Sequence, residues 1–148
     1  MASVKTSGQE PFVFEHREDL YSLPPAAREY EVNMHGGFAE DARDGYGQIY
    51  YGMPGCGIMR IDADLGVQEV IRLSDELTPL NFHGTCIGEF DGKRRLILPA
   101  NEDAMVCILT MDGEVDFILP RPVFDEYKDQ SDPYKPTDIV LVDDQLYI

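Results

Sequence analysis

The stretch TCIGEFDGKRRLILPANEDAMVCILTMDGEVDFIL, Thr85–Leu119, decides the fold. It holds four short apolar runs separated by turn signals. TCIGEF leads to Asp91-Gly92, RLILPA leads to Asn101-Glu102-Asp103, and MVCILTM leads to Asp112-Gly113 before EVDFIL. An Asp-Gly pair between apolar runs is a strong hairpin signal, because both residues tolerate positive φ. RLILPA reads as an alternating strand that stops at its proline. Four short antiparallel strands in a unit of roughly 40 to 50 residues match one β-propeller blade.

The unit repeats. Placing His35 on His83 lays HGGFAEDARDGYGQIYYG over HGTCIGEFDGKRRLILPA. The same offset carries Ile61 onto Leu109, Asp64 onto Asp112 and Val70 onto Ile118. KPTDIVLVDDQLYI begins a third copy, with Thr137 and Ile139 over Thr85 and Ile87 and Lys135 near the histidine position. The expectation is an all-β chain, a partial β-propeller of four-stranded antiparallel blades, with about two and a half blades present. Blade one covers about 37–73, blade two about 85–119, and blade three begins at about 138, within a propeller region of 35–148.

Residues 1–34 form an N-terminal extension. In it PFVFEH and REYEV read as strands that close a ring or cap an edge, and DLYSLPPAARE as an irregular or short helical insert. The connectors SDELTPLNF and PRPVFDEYKDQSDPYK are polar and rich in proline. Blade three stops after two strands and exposes an unpaired edge. That reads as a piece of a longer chain, with no activity of its own, or as a homodimer whose copies cover each other's blade edges.

Composition narrows the function. The chain has 148 residues, Lys+Arg 12, Asp+Glu 28 and a formal net charge of −16. A field of that sign repels phosphate backbones and anionic lipid, which argues against nucleic-acid and membrane partners. It suits divalent cations, or it serves solubility alone. The cysteines, Cys56, Cys86 and Cys107, show neither disulfide-framework nor zinc-finger spacing. MASVKTSGQEPF has no apolar leader core, so the chain reads as cytoplasmic. No Ser-His-Asp spacing, phosphate loop or dinucleotide fingerprint is visible.

PTDIVLVDDQLYI resembles the opening of an NHL-type repeat, where a proline precedes an apolar strand and a turn leads to a Leu-Tyr-apolar end. GIMRIDADLGV and MVCILTMDGEV resemble the second half of that repeat. From about Gly37 to Ile148 the chain is thus similar to six-bladed propellers: NHL repeats, the gluconolactonase/SMP-30 group and the peptidyl-hydroxyglycine lyase group. The usual Asp-x-x-Asn-x-Arg signature is replaced by Gly52-Met53-Pro54-Gly55 and by Asn101-Glu102-Asp103.

In such a blade the first strand is innermost, and the loop between strands two and three opens on the face where that strand begins. His35, His83, Asn101, Glu102 and Asp103 should therefore gather at one channel mouth. The resemblance implies a divalent metal there, zinc or calcium, with His35, His83 and Glu102 as ligands. His83 and Glu102 are the catalytic candidates for a metal-assisted hydrolase or lyase acting on a small polar substrate. Asn101, Lys135 and Asp138 are the binding candidates. The alternative is a non-catalytic propeller face that holds a small polar molecule, a peptide or a protein. In that reading the histidines hydrogen-bond neighbouring loops, Gly36 and Gly84 supply backbone room, and residues 101–103 form a solvated turn. Asp138 then caps a loop amide and Lys135 balances a local carboxylate. Cys86 reads as inert packing, and Tyr46, Tyr50 and Tyr51 as blade packing.

Overall fold

The computed structural model describes residues 5–20, 22–127, 129, 131 and 134–148. The first four residues, Tyr21 of the DLYSLPPAARE insert, and Lys128, Gln130, Asp132 and Pro133 of the second connector lie outside the described residues. The expectation of an all-β chain holds: the strands form four antiparallel sheets.

An N-terminal hairpin pairs β1 (Lys5–Gln9) with β2 (Phe12–His16). Sheet one is the meander β3 (Ala39–Glu40), β4 (Ile49–Met53), β5 (Gly57–Ile61), β6 (Gln68–Ile71). Sheet two is the meander β7 (Cys86–Phe90), β8 (Lys93–Ala100), β9 (Met105–Thr110), β10 (Val115–Leu119). A second hairpin pairs β11 (Val140–Val142) with β12 (Gln145–Tyr147).

The turn chemistry is as the sequence demands. Phe90 pairs with Lys93, so Asp91 and Gly92 form a two-residue loop with φ of 51° and 69°. Two successive positive φ values define a turn whose twist matches that of the flanking strands. Asp143 and Asp144 repeat it between β11 and β12, with φ of 47° and 61°.

The sheets pack as layers. Tyr50 and Ile58 on one face of sheet one meet Phe82, Leu96, Leu98 and Leu109 of the sheet-two side. The opposite face presents Tyr51, Met53 and Met59 to Leu23 and Ala27 of the N-terminal segment. The far face of sheet two sets Ile97, Val106 and Ile108 against Ile139, with Leu146 alongside. Sheet two is thus enclosed on both sides. Burying an aliphatic side chain of this kind contributes about 1.5–3 kcal/mol, which makes this sandwich the main source of stability. Among the described residues no helix is long and apolar enough to cross a membrane.

Two local expectations are corrected. REYEV is not a strand; it belongs to a 3-10 helix, Pro25–Asn33. Pro24 and Pro25 preset the backbone, and Leu23, Ala27, Tyr30 and Met34 share one side, packed on sheet one. Its alternating partner Val32 is 90% exposed. RLILPA neither alternates nor stops at its proline. Arg95 through Ala100 are all buried, because both faces of the strand are covered. Pro99 is tolerated where β7 no longer pairs: its carbonyl accepts from the backbone N–H of His83 at 3.1 Å, and no N–H is needed there. KTSGQ, for which the sequence predicts no element, is strand β1.

Candidate functional site

The two His-Gly segments meet. The imidazoles of His35 and His83 lie with ring centroids 4.8 Å apart, edge to face at 79°. Main-chain contact fixes this approach. Gly37 N–H donates to the His83 carbonyl at 2.6 Å. A Cβ on Gly36 would stand 2.9 Å from that carbonyl oxygen and 3.0 Å from that of Phe82, so only glycine fits without a shift. Gly84 is also tightly approached: a Cβ there would stand 3.1 Å from the Thr137 carbonyl oxygen and 2.9 Å from Asp138 Oδ1. The turns after Phe90 and Val142 are two-residue loops of the same kind, and counting back from them sets Thr137 on Thr85 and Lys135 on His83.

His35 Nδ1 lies 2.6 Å from the Asn33 carbonyl oxygen. A carbonyl can only accept, so Nδ1 is the donor in this contact. His35 is exposed and His83 half-buried. On either side of His83, Asn81 Oδ1 and Thr85 Oγ1 are buried without a hydrogen-bond partner. Orphaned polar atoms are costly and concentrate at functional positions.

The binding candidates fall around the second junction. Asn101 is 8% exposed, and its Nδ2 donates to Thr137 Oγ1 at 3.2 Å. Thr137 Oγ1 in turn donates to the Lys135 carbonyl at 3.0 Å, while the Lys135 side chain is exposed. Asp138 Oδ1 accepts the N–H of Ile139 at 2.8 Å, so this carboxylate does cap a loop amide. Glu102 and Asp103 are exposed on the turn between β8 and β9.

A divalent metal meets a partial donor set. Two neighbouring imidazoles, one with its Nδ1 held by a carbonyl, are the arrangement that metal-ligating histidines adopt. A catalytic zinc takes three protein ligands and a structural one four. Among the described residues no group of three or more His, Cys, Asp or Glu side chains is gathered for a metal, so Glu102 does not complete a set with His35 and His83.

The thiols are packing groups. Cys107 is fully buried, and burial pushes its pKa up to about 11. Cys86 and Cys56 are half-buried and are also raised, chiefly by burial. Tyr50 and Tyr51 are core residues, whereas Tyr46 is 47% exposed beneath the Arg43 guanidinium.

The sequence reading missed a charged cluster at the other end of the sheets. Asp41, just beyond β3, is fully buried. Its carboxylate accepts from Arg43 Nε at 2.9 Å and Nη2 at 2.6 Å, and pairs with Arg94 Nη2 of β8 at 3.1 Å. Hydrogen bonds from Arg43 hold its carboxyl below the ordinary range against the opposing effect of burial, and the charge of Arg94 adds to them. Beside it Arg95 pairs with Asp116 and donates to the Phe90 carbonyl. The signal was the Lys93-Arg94-Arg95 run in so acidic a chain.

No family model, curated protein or solved structure matches the chain.

Proposed function

We propose that the chain is a β-propeller-type binding module, similar to NHL-repeat and gluconolactonase-like propellers. Sheets one and two are then consecutive blades, and the face carrying His35, His83 and Asn101 holds a small polar molecule or a peptide. The observation that carries this reading is the paired imidazoles at 4.8 Å. They combine an exposed ring whose Nδ1 contacts a carbonyl with a half-buried second ring, and the segments that carry them are joined by main-chain contact at Gly36 and Gly37. Asn81 Oδ1 and Thr85 Oγ1, without a partner among the described residues and two positions before and after His83 in the chain, support it.

The test is imidazole NMR while zinc chloride, dipeptides and small sugar lactones are titrated in turn. The reading expects at least one probe to move the resonances of both His35 and His83 saturably, with the response abolished in His83→Ala. It fails if every probe leaves both rings unmoved, or if the responding residues lie elsewhere. A second reading, a metal-assisted hydrolase or lyase, is favoured by the His35 Nδ1–carbonyl contact. It requires zinc to be the responding probe and a further ligand to join the two imidazoles.

A further inference from the structure

The cleft at the opposite strand ends is a separate feature. The pairings Phe90–Lys93 and Arg95–Thr110 place it at one end of sheet two, while Ala100–Met105 and the His83–Pro99 contact mark the other. Six or so residues of extended chain, roughly 20 Å, separate them. The cleft has a volume of about 400 Å³ and is lined by Arg43, Lys93, Arg94, Arg95, Thr110 and Met111, with Glu89 and Asp116 at its walls. That volume suits a small metabolite. Four of the chain's 12 Lys and Arg residues line it, although the net charge is −16.

The carboxylates present do not match those cations. Asp116 is engaged by Arg95. Asp41 is shared by Arg43 and Arg94, so one carboxylate answers two guanidinium groups. Glu89 reaches only to 4.0 Å from Arg94 Nη1, too far for a hydrogen bond. Among the described residues Lys93 has no ion-pair partner, and its side chain is exposed.

The donors are also held in place. Arg43 binds Asp41 edge-on through Nε and Nη2. Its Cζ lies 3.8 Å from the centre of the Tyr46 ring. Both contacts fix the guanidinium plane, and among the described residues no hydrogen bond engages Nη1. Arg94 pairs closely through Nη2 and only at 4.0 Å through Nη1, and among the described residues its buried Nε has no partner. Fixed, incompletely paired guanidinium groups are what bidentate recognition of a planar oxyanion uses.

We propose that this cleft binds a small oxyanion, a carboxylate or a phosphate, through the guanidinium groups of Arg43 and Arg94 and the ammonium of Lys93. The site is independent of the histidine face, so either can fail without the other.

The experiment titrates inorganic phosphate and succinate separately into the full chain, following the backbone amides of residues 89–95, 110 and 111. The expected result is a saturable shift confined to those amides. Lys93→Glu should weaken it roughly tenfold or more, since one cation at the site becomes an anion. Arg28→Glu makes the same change in net charge on the exposed N-terminal segment and should leave affinity within about twofold. Tighter binding of phosphate assigns a phosphomonoester-type head group, and tighter succinate a carboxylate. No saturable shift with either anion overturns the proposal. So does equal weakening by Lys93→Glu and Arg28→Glu, which would mean general charge attraction.

Discussion

Gly36 and Gly37 are neighbours, yet alanine should act on them with opposite sign. A Cβ at Gly36 would come within 2.9 Å and 3.0 Å of two main-chain carbonyl oxygens, those of His83 and Phe82. Neither can swing aside, because Phe82 is buried in the core and the His83 carbonyl accepts from Gly37 N–H. The junction must open by a few tenths of an ångström, and forced overpacking of this kind costs about 1–3 kcal/mol. Replacing glycine also removes freedom from the unfolded chain, which returns about 0.4–1 kcal/mol. Gly36→Ala should therefore destabilise, with about 1–1.5 kcal/mol as the central value and about 2.6 kcal/mol as the upper end. At Gly37 the nearest atoms to a Cβ are 3.7 Å away, an ordinary contact. Only the unfolded-state effect remains there, so Gly37→Ala should be neutral or stabilising by up to about 1 kcal/mol. Urea unfolding followed by far-UV circular dichroism reads both, provided the slope against urea is unchanged. If Gly36→Ala is as stable as the parent, or if both variants lose stability equally, the close main-chain junction is refuted.

Two further expectations follow from the titrating groups. The Asp41 carboxyl ordinarily titrates near 3.8, and the Arg43 hydrogen bonds depress it in the fold. Its contribution is thus full above about pH 4 and is lost as pH falls through the depressed value, because the unfolded chain binds the proton first. Asp41→Asn should flatten the fall of the urea midpoint below about pH 4; an unchanged acid slope would count against the buried pair. Cys107, with its thiol pushed up to about 11 and fully buried, should be the slowest of the three cysteines to react with iodoacetamide under native conditions. Peptide mass spectrometry ranks the three, and labelling of Cys107 as fast as Cys56 would contradict its burial.

The parts of the fold that were legible in the sequence are those set by local chemistry. Asp91-Gly92 announces its hairpin because the turn needs two positive φ values. The paired histidines were legible as well, since a repeated His-Gly at equal offset places both at equivalent points of neighbouring sheets. The rest depends on what covers what. Strand β8 does not alternate because layers lie on both of its faces, which no window around Leu96–Leu98 reveals. REYEV misleads because Tyr30 and Val32 alternate by chance, while the packing spacing runs through Leu23, Ala27, Tyr30 and Met34. Asp41 and Arg94 are far apart in the chain and meet only when two sheets stack.

The glycine junctions bear on how this chain can change over time. Each segment that leads into a sheet recognises its neighbour through carbonyl oxygens and the lack of a side chain, not through the identity of the residue that supplies the carbonyl. His83 and Thr137 each present a main-chain carbonyl oxygen to a glycine of the preceding segment. Architecture and chemistry are thus carried by different atoms of one residue. A duplicated unit can exchange its imidazole for a hydroxyl, or the reverse, while the seam beneath it stays intact. The row of junctions is in that sense a keyboard: the frame is fixed, and the lettering is open to mutation one position at a time.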